Sequence, residues 1–82
     1  MRNFHIETIQ IDERESYLKI YFEDVVDQNV ISSWLNSQGF FKKANVNEDD
    51  NGKIHAIVYP LPDSDIEEVN VKLTAVLQRF EA

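Results

Sequence analysis

Residues 16–23, SYLKIYFE, alternate without a break: Leu18, Ile20 and Phe22 in one phase, Tyr17, Lys19, Tyr21 and Glu23 in the other. Successive side chains of a strand point to opposite faces, so this segment predicts a strand with one apolar and one mixed face. Such a strand is not stable alone. Its apolar face must be covered by another layer, and the rest of the chain is read for what supplies that cover.

Two segments carry helical spacing instead. Val30, Ile31, Trp34 and Leu35 recur on one stripe, which predicts a helix over about residues 26–38. Asp24 and Asp27 compete as its N-cap, and Gly39 suits a left-handed C-terminal cap with Phe40 or Phe41 folding back. The last helix is clearer. Ile66, Val69, Leu73, Val76, Leu77 and Phe80 form a continuous apolar stripe, and Ser64 with Glu67 has capping-box spacing. Asp63, Asp65, Glu67 and Glu68 crowd its start, while Lys72 and Arg79 come later, with the signs the helix dipole prefers.

Three further strands complete the pattern. Phe4–Ile11 is rich in β-branched residues, but Phe4 and Ile6 share one phase and Ile9 and Ile11 the other, so a bulge near Thr8 is expected. The run DERE (12–15) then turns the chain. In Phe41–Asn47, Ala44 and Val46 face one side. In Ile54–Tyr59, Ile54, Ala56 and Val58 face that side and His55, Ile57 and Tyr59 the reverse, until Pro60 and Pro62 end the strand.

The expected order is β-β-α-β-β-α. A chain of 82 residues makes one domain, 1–82, with room for one sheet on one helical layer. The expected fold class is therefore α+β: a four-stranded antiparallel sheet with two helices on one face. From Ser16 onward the order is ferredoxin-like without its last strand, and the N-terminal strand fills the vacant edge. This is a permuted ferredoxin-like sandwich.

Residues 47–54, NEDDNGKI, hold the front half of a calcium-loop pattern. A loop starting at Asn47 reaches its twelfth position at Val58, where a bidentate glutamate is needed. Strand patterns flank it where helices are required. Asn51-Gly52, by contrast, is a strong hairpin signal because both residues tolerate positive φ. A hairpin turn is the expectation, and no metal ligand is assigned.

The face not covered by helices is the sharper signal. Alternation places Tyr17, Lys19, Tyr21, His55, Ile57 and Tyr59 there, with His5 and Glu7 on the neighbouring strand. Clustered aromatics on an open sheet suggest a binding surface. Two surface histidines also raise a metal site with Glu7. A second candidate surface is the acidic start of the last helix, at Glu67 and Glu68.

Composition excludes several functions. Eight Lys and Arg against fifteen Asp and Glu give a net charge of −7, which repels nucleic-acid phosphate and favours basic partners or simple solubility. The topology resembles that of RNA-recognition domains, but their aromatic-glycine signature is absent. It also resembles heavy-metal-associated domains, yet FEDVVDQNV has no cysteine where their metal-binding pair stands, and the chain has none anywhere. No signal peptide or membrane span is apparent, and the cysteine-free chain suits the cytoplasm. No nucleophile–base pair or phosphate-cradling loop stands out, so neither an enzyme nor a cofactor is expected. The expectation is a small acidic interaction module, of adaptor, inhibitor or immunity type, that binds a protein partner or itself as a homodimer. The alternative is a small-ligand or metal-binding domain.

Overall fold

The computed structural model describes residues 1–81. Its elements run β1 (Phe4–Gln10), β2 (Ser16–Phe22), α1 (Gln28–Asn36), β3 (Lys43–Glu48), β4 (Ile54–Tyr59) and α2 (Ile66–Arg79). The four strands form one antiparallel sheet in the order β1-β2-β4-β3. This is the expected α+β fold, a four-stranded antiparallel sheet with two helices in the order β-β-α-β-β-α, and β1 forms one edge of the sheet.

The apolar phases meet in a single core. Leu18, Ile20 and Phe22 of β2, Ala44 of β3 and Ala56 and Val58 of β4 pack against Ile31 and Leu35 of α1 and Val69, Leu73, Leu77 and Phe80 of the α2 end. Leu18, Ile20, Ile31, Leu35, Leu73, Leu77 and Val58 are fully buried, each contributing about 1.5–3 kcal/mol. α1 lies against β3, and α2 crosses β1 and β2. Between the helices, Trp34 donates its indole N–H to the Val76 carbonyl at 3.3 Å and tilts against Phe80.

Several local expectations are corrected. β1 has no bulge: it pairs with β2 residue by residue from Phe4↔Phe22 to Gln10↔Ser16. The phase conflict arises because Ile9 is on the open face and Ile11 is already past the strand, 58% exposed. Helix α1 is shorter than expected. Asp27 is its N-cap, accepting from the amides of Asn29 and Val30 at 2.9 and 3.0 Å. Asp24 instead ties down the N-terminal segment, accepting from the Asn3 side chain at 2.9 Å and the Asn3 amide at 3.1 Å. At α2 the N-cap is Asp65, which accepts from the Glu67 amide at 3.0 Å. Ser64 is held in the preceding turn, donating its amide to the Leu61 carbonyl.

The β3–β4 connection is the expected hairpin. Gly52 has φ +79°, but Asn51 is not in the left-handed region. The Gly52 amide donates to the Asp49 carbonyl, and the Asp49 amide donates to the Lys53 carbonyl. Such a turn followed by a left-handed glycine is the longer hairpin loop. Asp49 Oδ1 accepts from the amides of Asn51 and Lys53 at 2.8 and 2.9 Å. Those hydrogen bonds, the Lys53 amide first, hold the carboxyl below its usual pKa despite some desolvation. The oxygen that a calcium loop would aim at a cation is thus committed to the turn.

Candidate functional site

The sheet face opposite the helices is uncovered, and the register fixes its layout. Three rows cross the strands. His5, Tyr21, His55 and Asn47 form the first, and Glu7, Lys19, Ile57 and Asn45 the second. Ile9, Tyr17, Tyr59 and Lys43 form the third, where β2 and β4 are bridged by the Tyr17 and Tyr59 rings 6.1 Å apart. All six sheet positions expected at a binding surface, Tyr17, Lys19, Tyr21, His55, Ile57 and Tyr59, are on β2 and β4 and half-buried against one another.

These side chains hold each other in place. His5 stacks on Tyr21 at 6.0 Å between ring centroids. The Lys19 ammonium lies 4.8 Å from the Tyr21 ring centre and the Lys43 ammonium 5.2 Å from that of Tyr59. Both distances are within the range of cation–π attraction. Aromatic groups fixed on a rigid sheet lose little entropy when a partner covers them, and Tyr is enriched in interfaces for this reason among others.

The electrostatics of this face differ from those of the whole chain. Among its twelve positions are two lysines and one glutamate, while the protein carries −7. The carboxylates gather elsewhere: in the β1–β2 turn, before α1, in the β3–β4 hairpin and at the start of α2. Glu67 and Glu68 are in the first turn of α2, in the layer behind the sheet. Glu68 is in an ion pair with Lys72 at 3.2 Å. The two candidate surfaces are therefore on opposite layers and of opposite charge.

The sequence raises, without assigning it, a metal site shared by His5, His55 and Glu7. The strand order separates the two histidines: β2 lies between β1 and β4, and Tyr21 stands between the two imidazoles. With strands about 4.8 Å apart, their backbones are roughly 10 Å from each other. Among the described residues, no group of three or more His, Asp or Glu is placed to hold a metal ion.

A feature that sequence reading missed lies at the end of the third row. There the face continues into an open cleft of about 830 Å³, between the β1–β2 turn and the β4–α2 connection. Tyr17 and Tyr59 form one wall, and Arg14, Lys42 and Lys43 also line it, with Glu15 and Asp63. Among the described residues the sole ion pair is Glu68–Lys72, so these three cations have no carboxylate within salt-bridge distance. Asp63 stands at φ +64° in the Leu61–Ser64 turn, which has Pro62 before it and the Ser64 amide bonded to the Leu61 carbonyl. That is the position where a turn of this type favours glycine. Lys42 and Arg14 are in irregular segments, and no alternation in the sequence points them towards the tyrosines.

Comparison with protein-family models, with curated proteins and with solved structures found no match. Among the described residues, no helix is long and apolar enough to cross a membrane.

Proposed function

We propose that the protein is a non-enzymatic interaction module that binds a protein partner through the uncovered face of its sheet. One observation carries the reading: three tyrosines, two histidines and two isoleucines share one face with no structural layer over them. A sheet face without a functional contact needs no such concentration of ordered apolar area.

The size of the face sets the kind of contact. Four strands by three rows cover on the order of 350 Å², given strand spacings and rises. A standard interface takes about 800 Å² from each partner. The face alone supports a transient contact, and a tighter one extends into the neighbouring cleft. Its lysines favour a neutral or acidic partner surface here. A basic partner instead meets Glu67 and Glu68 on the helical layer.

The experiment is retention of protein from extracts of the source cell by wild type and by the double variant Tyr21→Ala with Tyr59→Ala. We expect a specific binder that the double variant loses while remaining folded. Unchanged retention removes the sheet-face reading. Charge reversal at Glu67 and Glu68 tests the other surface, and loss of binding there alone moves the site to α2.

The cleft supports a second reading, a small-ligand site. Its volume is within the 300–1,000 Å³ typical of such sites, and three cations face it beside two aromatic rings. A small aromatic carboxylate is the chemistry it fits. Calorimetric titration with benzoate, for wild type and for Lys42→Ala with Lys43→Ala, decides it. Absence of heat at millimolar ligand removes this reading.

A further inference from the structure

The two edges of the sheet are treated differently. On β3 three of the outward backbone groups are occupied by side chains of α1. Asn36 Oδ1 accepts from the Ala44 amide at 2.9 Å, and its Nδ2 donates to the Ala44 carbonyl at 3.0 Å. Gln28 Nε2 donates to the Val46 carbonyl at 3.0 Å. A helix thus plugs this edge against pairing with another strand.

On β1 nothing does so. The Asn3 carbonyl accepts from the Glu23 amide and the Ile11 amide donates to the Glu15 carbonyl, so odd-numbered residues of β1 turn their backbone towards β2. The amides and carbonyls of Phe4, Ile6 and Thr8 therefore point outward. Among the described residues, none of these groups meets a hydrogen-bond partner. The strand is seven residues long, without proline, lysine or bulge, the devices that normally blunt an edge.

We propose that a second copy of this chain covers the β1 edge, β1 pairing antiparallel with β1 about a two-fold axis at Ile6. In this register Ile6 faces Ile6, and Phe4 faces Thr8 of the second copy, with about six backbone hydrogen bonds formed. On the open side, His5 stands directly opposite Glu7 of the second copy, twice by symmetry. The imidazole N–H donates to the carboxylate there, a favourable cross-strand pair. Sliding the axis to Glu7 lengthens the overlap but sets the two Glu7 carboxylates against each other, which is unfavourable. Polar complementarity thus selects the register centred on Ile6. The product is one eight-stranded sheet whose two uncovered faces run together. The inference adds to the sheet-face reading but does not depend on it, since edge pairing places nothing over Tyr21 and Tyr59.

The test is size-exclusion chromatography with light scattering on the full chain at about 100 μM, where a micromolar dimer is well populated. We expect twice the 9.6 kDa chain mass. Thr8→Pro deletes an outward amide and no bond to β2, a substitution that edge strands tolerate, and is expected to give a folded monomer. Glu7→Gln is expected to weaken the dimer several-fold. A wild-type monomer at this concentration, or a dimer untouched by Thr8→Pro, overturns the proposal, and a dimer strengthened by Glu7→Gln overturns its register. Should Thr8→Pro not fold, amide hydrogen exchange on the wild type decides. Protection at Phe4, Ile6 and Thr8 that grows with concentration supports the pairing, and its absence at every concentration overturns it. Loss of partner retention in the Tyr21→Ala, Tyr59→Ala variant with the mass unchanged separates the two sites.

Discussion

Strand β2 presents two faces made from adjacent residues with opposite duties. Leu18, Ile20 and Phe22 are buried under α2 and its neighbours. Tyr17, Lys19 and Tyr21, one residue away in each case, are left half-buried with no layer above them. The first set holds the sandwich together. The second set touches other side chains of the open face, Tyr21 stacking with His5, Tyr17 meeting the Tyr59 ring and Lys19 lying over Tyr21. Groups of this size, held outside the core, are the ones the proposed interface uses.

The difference between the faces is open to measurement. Leu18→Ala is expected to cost about 3 kcal/mol in urea unfolding, since the residue is fully buried and truncation leaves a cavity. Tyr17→Ala, its neighbour on the other face, is expected to cost under ~1 kcal/mol, the scale of a cross-strand pair. Equal losses at the two positions would break the comparison.

Next in size is the plugged edge. Asn36→Ala removes both side-chain bonds to the Ala44 backbone. We expect a loss of about 1–2 kcal/mol, with faster exchange of the Ala44 amide. If that amide stays protected, the helix is not what seals β3.

A smaller and opposite effect is expected at the cleft rim. Asp63 is a non-glycine residue at φ +64°, a conformation costing roughly 1–2 kcal/mol. Asp63→Gly relieves that cost but restores unfolded-state entropy. A net gain of a few tenths of a kcal/mol in urea unfolding is expected, and a clear loss would mean that the carboxylate itself has a role in the turn.

The smallest effect is on pH dependence. Asn3, through its side chain and then its amide, holds the Asp24 carboxyl below its ordinary value of 3.8, and the Lys53 amide does the same for Asp49. A carboxyl with a lowered folded pKa stabilises the protein above its ordinary value and ceases to do so as pH falls through the lower one. Stability is therefore expected to be flat near neutrality and to decline below about pH 4. Asp49→Asn should shallow that decline, as read from urea midpoints across the acid range.

Much of this arrangement was legible in the residues. Period-two alternation identified the inner and outer positions of β2 and β4, and the stripe from Ile66 to Phe80 identified the buried side of α2. Local signals failed where two similar groups competed. Asp65 rather than Ser64 caps α2, and Asp24 binds the N-terminal segment rather than α1. Apolar identity misled at Ile9, which contributes to the open face and not to the core. What depends on strand order was beyond reach of periodicity. Tyr21 separating His5 from His55, Asn36 sealing β3, and the cleft between Arg14 and Lys42 each arise from segments distant in the chain.

Site-specific photo-crosslinking in the source cell tests the central claim most directly, with the reactive side chain at Ile57 on the open face or at Val71 on α2. Val71 is 70% exposed and so controls for indiscriminate apolar contact. The account predicts a discrete protein adduct at position 57 that Tyr21→Ala with Tyr59→Ala abolishes, and none of that mass at position 71. Adducts of equal yield at both positions, or an adduct at 57 that survives the double substitution, would contradict it.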